Sequence, residues 1–256
     1  MALILVTNDD GVLSEGLLEL FNAMKEVAEA VIVAPDRERS ATSHSLTMHR
    51  PLRVTEIREN VYAINGTPTD CVTLGIGKIL KRPPDLVASG INKGGNLGDD
   101  ITYSGTVSAA FEGTILGVPS FAISMLWEEG GGFHFNTASE FAKEIAKKIL
   151  DKGLPRDTLL NVNVPNVKAE DIAGVKFTKQ GKRLYSNSIQ ETFDPWGKKH
   201  FWIGGGSPSW EEDEKTDFLA VESGFISITP LHLDLTNYDA LNNITNQWKD
   251  LNGPRR

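Results

Sequence analysis

The segment Ala2-Leu-Ile-Leu-Val6 constrains this chain more than any other, because it carries no polar alternation and ends on Thr7-Asn-Asp-Asp-Gly11. A strand with apolar side chains on both faces needs cover on both, the situation of a parallel strand lying between crossover helices. Leu17, Leu18, Phe21, Met24 and Ala28 then recur at helical spacing and predict an amphipathic helix over 15–28 that Ser14 caps. Ala30-Val-Ile-Val-Ala34 follows as a second buried strand. Strand, helix and strand in that order make a parallel unit whose connection is right-handed.

The alternation continues with short strands over 52–57 and 61–64, a weaker helix over 69–80 and a strand at Leu86-Val-Ala88. A glycine-rich turn region then spans Ser89 to Gly98, before a helix over 104–116 and a strand over 119–125. Thr137 and Glu140 have the spacing of a capping box opening a helix, and a strand over 159–164 ends at Pro165. This pattern predicts an α/β fold: a Rossmann-like three-layer core with a mostly parallel open sheet over residues 1–165. Beyond Pro165 the texture changes to β-like runs near 175–178, 200–203 and 225–229, with a terminal helix over 241–248. Residues 166–256 therefore read as a C-terminal β-rich extension with a hairpin arm that contributes to oligomerisation. Trp196, Trp202 and Trp210 in this stretch pack a subsidiary core, serve an arm against another subunit, or wall a substrate site.

Composition narrows the function classes. The chain holds 26 Lys plus Arg against 34 Asp plus Glu, a net charge of -8, which makes long nucleic acids poor partners. Its one cysteine, Cys71, excludes an intrachain disulfide and any Cys-rich metal cluster. The first apolar run is far too short for a membrane span or a signal-peptide core, so the expectation is a soluble cytoplasmic protein that does not enter membranes.

Asp9 and Asp10 fall at the carboxyl end of the first strand, where open α/β sheets place ligands. Two adjacent carboxylates either share a hard cation, Mg²⁺ or Mn²⁺, or turn and cap the chain that follows. Ser40, beyond the second strand, offers a neutral hydroxyl, and Asn92, beyond the third, offers either a carboxamide oxygen or a turn. Gly90, Gly94, Gly95 and Gly98 let backbone N–H groups approach a ligand, and Asn96 among them can donate to a phosphate oxygen. Ser104, Gly105 and Thr106 open a helix, bringing two hydroxyls and unpaired amides to a terminus that favours anions. His44 and His49 lack a third ligand and read as satisfied loop histidines.

Asn8-Asp-Asp-Gly11, Ser89-Gly-Ile-Asn92, Gly94-x-Asn96-x-Gly98 and Tyr103-Ser-Gly-Thr-Val-x-Ala-Ala110 together resemble the SurE survival-protein family of nucleotidases, and Glu112-Gly113 through Gly117-Val-Pro-Ser120 extends the likeness. The resemblance implies hydrolysis of nucleoside 5′-monophosphates and 3′-monophosphates, with short-chain exopolyphosphatase activity as a secondary possibility. It implies one divalent ion per subunit on Asp9, Asp10, Ser40 and Asn92, and a phosphate pocket of Asn96, Ser104, Gly105 and Thr106. It also implies a homodimer or a dimer-of-dimers tetramer with exchanged C-terminal elements. In the mechanism this suggests, Asp9 orients or deprotonates water while Asn96 and Ser104 oppose negative charge on the transferring group. Another small-molecule phosphomonoesterase and a noncatalytic nucleotide-binding assembly protein stand as alternatives. There is no Gly-x-x-x-x-Gly-Lys-Ser/Thr loop, Gly75-x-Gly77 lacks the third glycine of the dinucleotide fingerprint, and no Asp-x-Asp follows the first strand as an aspartyl-phosphate mechanism needs.

Overall fold

The computed structural model describes residues 1–127, 131–184, 189–203, 209–211 and 213–251. Strand β1 (Leu3–Thr7) is buried throughout, and α1 (Glu15–Lys25) carries the chain to β2 (Glu29–Pro35). A hairpin of β3 (Val54–Arg58) and β4 (Val61–Ile64) precedes α2 (Pro68–Leu74), which runs into a π-helical turn at Gly75–Ile79. Next come β5 (Leu86–Lys93), a 3-10 turn at Gly98–Thr102, α3 (Gly105–Ile115), β6 (Ser120–Met125), α4 (Phe135–Lys152) and β7 (Thr158–Val164). The rest comprises β8 (Gly174–Phe177), β9 (Arg183–Leu184), β10 (Ile189–Phe193), β11 (Lys199–Ile203), β12 (Ser209–Trp210), α5 (Asp217–Glu222), β13 (Phe225–His232) and α6 (Tyr238–Gln247).

The main sheet has the order β3-β4-β2-β1-β5-β6-β7-β13-β8. From β4 to β7 every neighbouring pair is parallel, whereas β3 lies antiparallel on β4 and β13 antiparallel on β7. Helices α1 and α4 cover one face, burying Leu17, Leu20, Met24, Phe135 and Ile145, while α2 and α3 cover the other with Cys71, Val72 and Val107. Truncating one such core side chain costs about 2–5 kcal/mol, a large fraction of a domain's net stability. Chain order reverses at β1, which has β2 on one side and β5 on the other. Their carboxyl ends thus open the crevice where such folds bind ligands. Among the described residues no helix is long and apolar enough to cross a membrane.

The expected Rossmann-like, mostly parallel core and β-rich C-terminal region are both present, with several local differences. Strand β5 continues through Lys93, because ladder contacts to β6 resume at Asn92 opposite Ser124 and Lys93 opposite Met125. Asn92 therefore sits on a strand end, not in a turn. The capping box at Thr137 and Glu140 does not form: α4 starts at Phe135, and the Thr137 hydroxyl donates to the Val167 carbonyl at 2.9 Å. Ser14 is the N-cap of α1 without a side-chain bond to that helix, its hydroxyl instead accepting from Asn8 Nδ2 at 2.7 Å. Beyond Pro165, β13 and β8 add two strands to the main sheet.

Trp196 is 83% exposed and Trp202 66%, while Trp210 stacks on Phe218 with ring centroids 4.4 Å apart. The β10–β11 ribbon pairs Ile189 with Ile203 and Phe193 with Lys199, so Ile189, Phe193, Phe201 and Ile203 share one face and all are exposed. An arm drawn across roughly 185–215 includes residues 185–188, 204–208 and 212, which lie outside the described residues.

Candidate active site

Asn8 makes the turn after β1. Its Oδ1 accepts the Gly11 N–H at 3.2 Å while its Nδ2 reaches Ser14, which frees the two following acids from turn-forming duty. Asp9 is only 4% exposed, and its Oδ1 accepts from the Thr106 hydroxyl. Burial raises its pKa, opposed by that hydroxyl and by the amides of Gly105 and Thr106 at the start of α3. Gly105 permits this approach, since a Cβ there would lie 2.8 Å from Asp9 Cβ. The N-terminus of α3 thus points its unpaired donors at an acid on the neighbouring strand end.

Asp10 is pushed up to about 6 by burial and then by the Asp9 charge, with Lys93 acting in the opposite direction. Its Oδ2 is buried and has no hydrogen-bond partner. A buried carboxylate oxygen without a donor, beside a second buried carboxylate, is a site that a hard cation would satisfy. Asn92 donates Nδ2 to the Gly94 carbonyl at 2.7 Å, and among the described residues nothing donates to its carboxamide oxygen. The Ser40 loop is tied to the acids by the Arg39 N–H, which donates to the Asp9 carbonyl at 2.7 Å. The Ser40 hydroxyl itself is exposed and donates to Glu38 Oε1 at 2.8 Å, so its loop is tied to the pair but its side chain is turned to another carboxylate.

At the start of α3, Ser104 caps the helix by accepting the Val107 N–H at 3.1 Å, which leaves its own O–H to donate. Asn96 is buried, with Nδ2 donating to Ser124 Oγ at 2.7 Å. Its backbone is held by residues that sequence reasoning missed: Asn163 Oδ1 accepts its N–H at 2.8 Å, and Asn161 and Asn163 both donate to its carbonyl at 2.9 Å. The signal was present, because Asn161 and Asn163, two apart among the leucines and valines of β7, share one face and are fully buried. His44 is satisfied, its Nε2 lying 2.8 Å from Glu112 Oε2, and Thr73 donates to the other Glu112 oxygen at 2.8 Å. That imidazole holds the Glu112 carboxyl below its ordinary range against the opposing effect of burial.

Acids and helix-terminal donors meeting at the switch point of an open parallel sheet define an α/β protein of the phosphate-handling class. The chain belongs to the SurE survival-protein family, whose family model, Survival protein SurE, matches residues 4–187. Membership carries phosphohydrolase activity of the SurE type. Among curated relatives, the 5′-nucleotidase SurE of Geobacter sulfurreducens is 55% identical over 245 residues, covering 96% of this chain and 93% of that protein. The 5′-nucleotidase SurE of Pelobacter propionicus is 50% identical over 242 residues, covering 94% and 98% respectively. A crystal structure of the SurE protein from Aquifex aeolicus superposes with a TM-score of 0.84 at 46% identity, covering 96% of this chain and 99% of that one.

Proposed function

We propose that the chain hydrolyses nucleoside 5′-monophosphates, and 3′-monophosphates as well, to nucleoside and inorganic phosphate in a divalent-cation-dependent reaction, with short polyphosphates as secondary substrates. The observation that carries this reading is the pair of buried Asp9 and half-buried Asp10, whose Oδ2 is buried and orphaned, set against the donor-rich start of α3. The 5′-nucleotidase name borne by relatives at 50–55% identity supports the substrate class.

Asp9, Asp10 and the Asn92 carboxamide oxygen would hold Mg²⁺ or Mn²⁺, and Ser40 would join them by turning from Glu38. Among the described residues no three His, Cys, Asp or Glu side chains gather, so neutral oxygens must complete such a shell. When bound, the ion supplies Lewis-acid polarisation of the phosphoryl group. The second Nδ2 hydrogen of Asn96, the Ser104 hydroxyl and the amides of Gly105 and Thr106 orient the phosphate and oppose charge spreading over its oxygens. Water adds to phosphorus as the bond to the ribose oxygen breaks. Asp9, held by Thr106, orients that water and takes its proton, while the departing oxygen takes a proton from solvent water.

The experiment is phosphate release by metal-free protein with Mg²⁺ or Mn²⁺ restored, across AMP, GMP, their 3′ isomers, sugar phosphates and tripolyphosphate. Higher kcat/KM for nucleotides, abolished in Asp10→Ala and Asn92→Ala proteins that remain folded, is the expected result. Preference for sugar phosphates, or full activity in both variants, overturns it. The exposed face of the β10–β11 ribbon, where Ile189, Phe193, Phe201 and Ile203 surround the Glu191–Lys199 ion pair, is assigned to a second copy of the chain in a dimer or dimer of dimers. Cys71, buried and unpaired, fits a reducing cytoplasmic setting.

A further inference from the structure

The loop carrying Asn96 is gripped from two sides. On one side stand Asn161 and Asn163 of β7. On the other, contacts from the C-terminal region converge on Gly98, two residues beyond Asn96. Asp217 Oδ2 accepts the Gly98 N–H at 2.9 Å, and Gln180 Nε2 donates to the Gly98 carbonyl at 3.1 Å. The Trp210 ring closes over the same residue, so that a Cβ on Gly98 would come within 2.6 Å of Cζ3. Gly98 also has φ +51, which disfavours a side chain independently of space. Arg183, which pairs with Trp210 across β9 and β12, meets Asp100 just downstream.

Asp217 is the centre of this grip. It is fully buried, and its Oδ1 accepts the N–H groups of Gly181 at 2.9 Å and Phe218 at 2.8 Å. Among the described residues it has no ion-pair partner. Burying an unpaired carboxylate is costly, and only amide donors compensate it here. Those amides oppose the upward push that burial gives its pKa. Thr216 occupies the N-cap of α5 without a side-chain bond to that helix, and Asp217 Oδ1 serves the terminus through the Phe218 N–H, while its Oδ2 reaches away from α5 to Gly98. One carboxylate thus joins three chain segments, at Gly98, Gly181 and Phe218, and sets where the first lies relative to the sheet.

We propose that Asp217 is a positioning residue for phosphate hydrolysis, fixing the Gly94–Gly98 loop so that Asn96 meets the phosphate beside the α3 terminus. This rests on the phosphatase reading of the site given above. The carboxylate touches neither substrate nor reacting atoms, and acts through Gly98.

The test is Asp217→Asn, which keeps the shape and removes one of the two acceptor oxygens. Three readouts are taken: AMP kinetics with saturating Mn²⁺, Mn²⁺ affinity by calorimetry, and hydrogen–deuterium exchange of the peptide containing residues 94–98 against peptides from β1 and β7. The expected result is faster exchange confined to that loop, unchanged Mn²⁺ affinity, and kcat/KM lower by roughly 10- to 100-fold. Exchange and kcat/KM both at wild-type values overturn the proposal, as does faster loop exchange with unchanged kcat/KM, and so does exchange raised equally in β1 and β7, which marks simple destabilisation. Should Asp217→Asn fail to fold, Gln180→Ala decides by the same readouts. Wild-type protein that releases no phosphate from any monoester would sink the phosphatase reading and this inference with it, whereas an active wild type with normal Asp217→Asn kinetics sinks the inference alone.

Discussion

Replacing Gly105 by alanine puts a methyl group where the structure has no room for one. Its carbon would lie 2.8 Å from Asp9 Cβ, 2.9 Å from Asp9 Oδ2 and 3.1 Å from Pro68 Cγ. Ordinary carbon contacts fall at about 3.5–4.0 Å, so the α3 terminus and the Asp9 strand end must part by roughly 0.6–1 Å. Overpacking of this kind costs about 1–3 kcal/mol, of which the better helix propensity of alanine returns up to ~1 kcal/mol. The net destabilisation of about 0–2 kcal/mol lowers Tm by no more than ~8 °C. The effect on turnover is larger: a displacement of about 1 Å between groups that act together costs on the order of 100-fold. That corresponds to ~2.7 kcal/mol of barrier. Gly105→Ala should therefore melt near the wild-type temperature while losing most of its Mn²⁺-dependent AMP hydrolysis, measured as kcat/KM beside a thermal melt. A variant within twofold of wild-type kcat/KM would show that Asp9 and the Ser104–Thr106 donors do not act on one phosphate.

Asp10 titrates near 6 because burial and Asp9 oppose its charge, so the folded metal-free state binds its proton more tightly than the unfolded chain does, and stability falls as pH rises from about 4 through 6. Asp10→Asn should accordingly raise the Tm of metal-free protein at pH 7.5 and flatten the melting profile between pH 4 and 7, while abolishing turnover; a lower Tm at pH 7.5 would refute this. Asn163→Ala removes both an acceptor and a donor from the Asn96 backbone and should cost about 1–3 kcal/mol in urea unfolding, with a fall in kcat/KM out of proportion to it. Normal kcat/KM would show that Asn96 is held without it. Phe201→Glu places a charge in the apolar face of the ribbon and should lower the mass found by sedimentation, and an unchanged mass would remove that face from the subunit contact.

The parallel core was legible because its signals are local. Leu3 to Val6 and Val31 to Ala34 are buried on both faces as their unbroken apolar character demands. The place of β13 was not legible, since its antiparallel register with β7 joins residues more than sixty positions apart and leaves no periodic trace beyond that of any strand. At the site, Asp9, Ser104, Gly105 and Thr106 announced themselves through residue type at strand and helix ends. Thr106 nevertheless directs both its hydroxyl and its amide at Asp9, a contact that composition does not encode. Asp217 gave no warning at all, because an acid at the start of a six-residue helix looks like a solvated surface group until Gly98 is found against it.

The late arrival of β13 has a bearing on biosynthesis. Until residues 225–232 leave the ribosome, β7 has no neighbour on its outer side among the described residues, and β8, whose ladder among them is to β13, has nothing to join. A nascent chain of about 200 residues would hold most of a Rossmann-like sheet with one flank raw, a template for unwanted strand addition. Pairing across so long a stretch is also slow to nucleate. Premature termination ahead of Phe225 should consequently yield aggregate rather than a smaller enzyme, and chaperone demand during synthesis should peak just before that strand emerges.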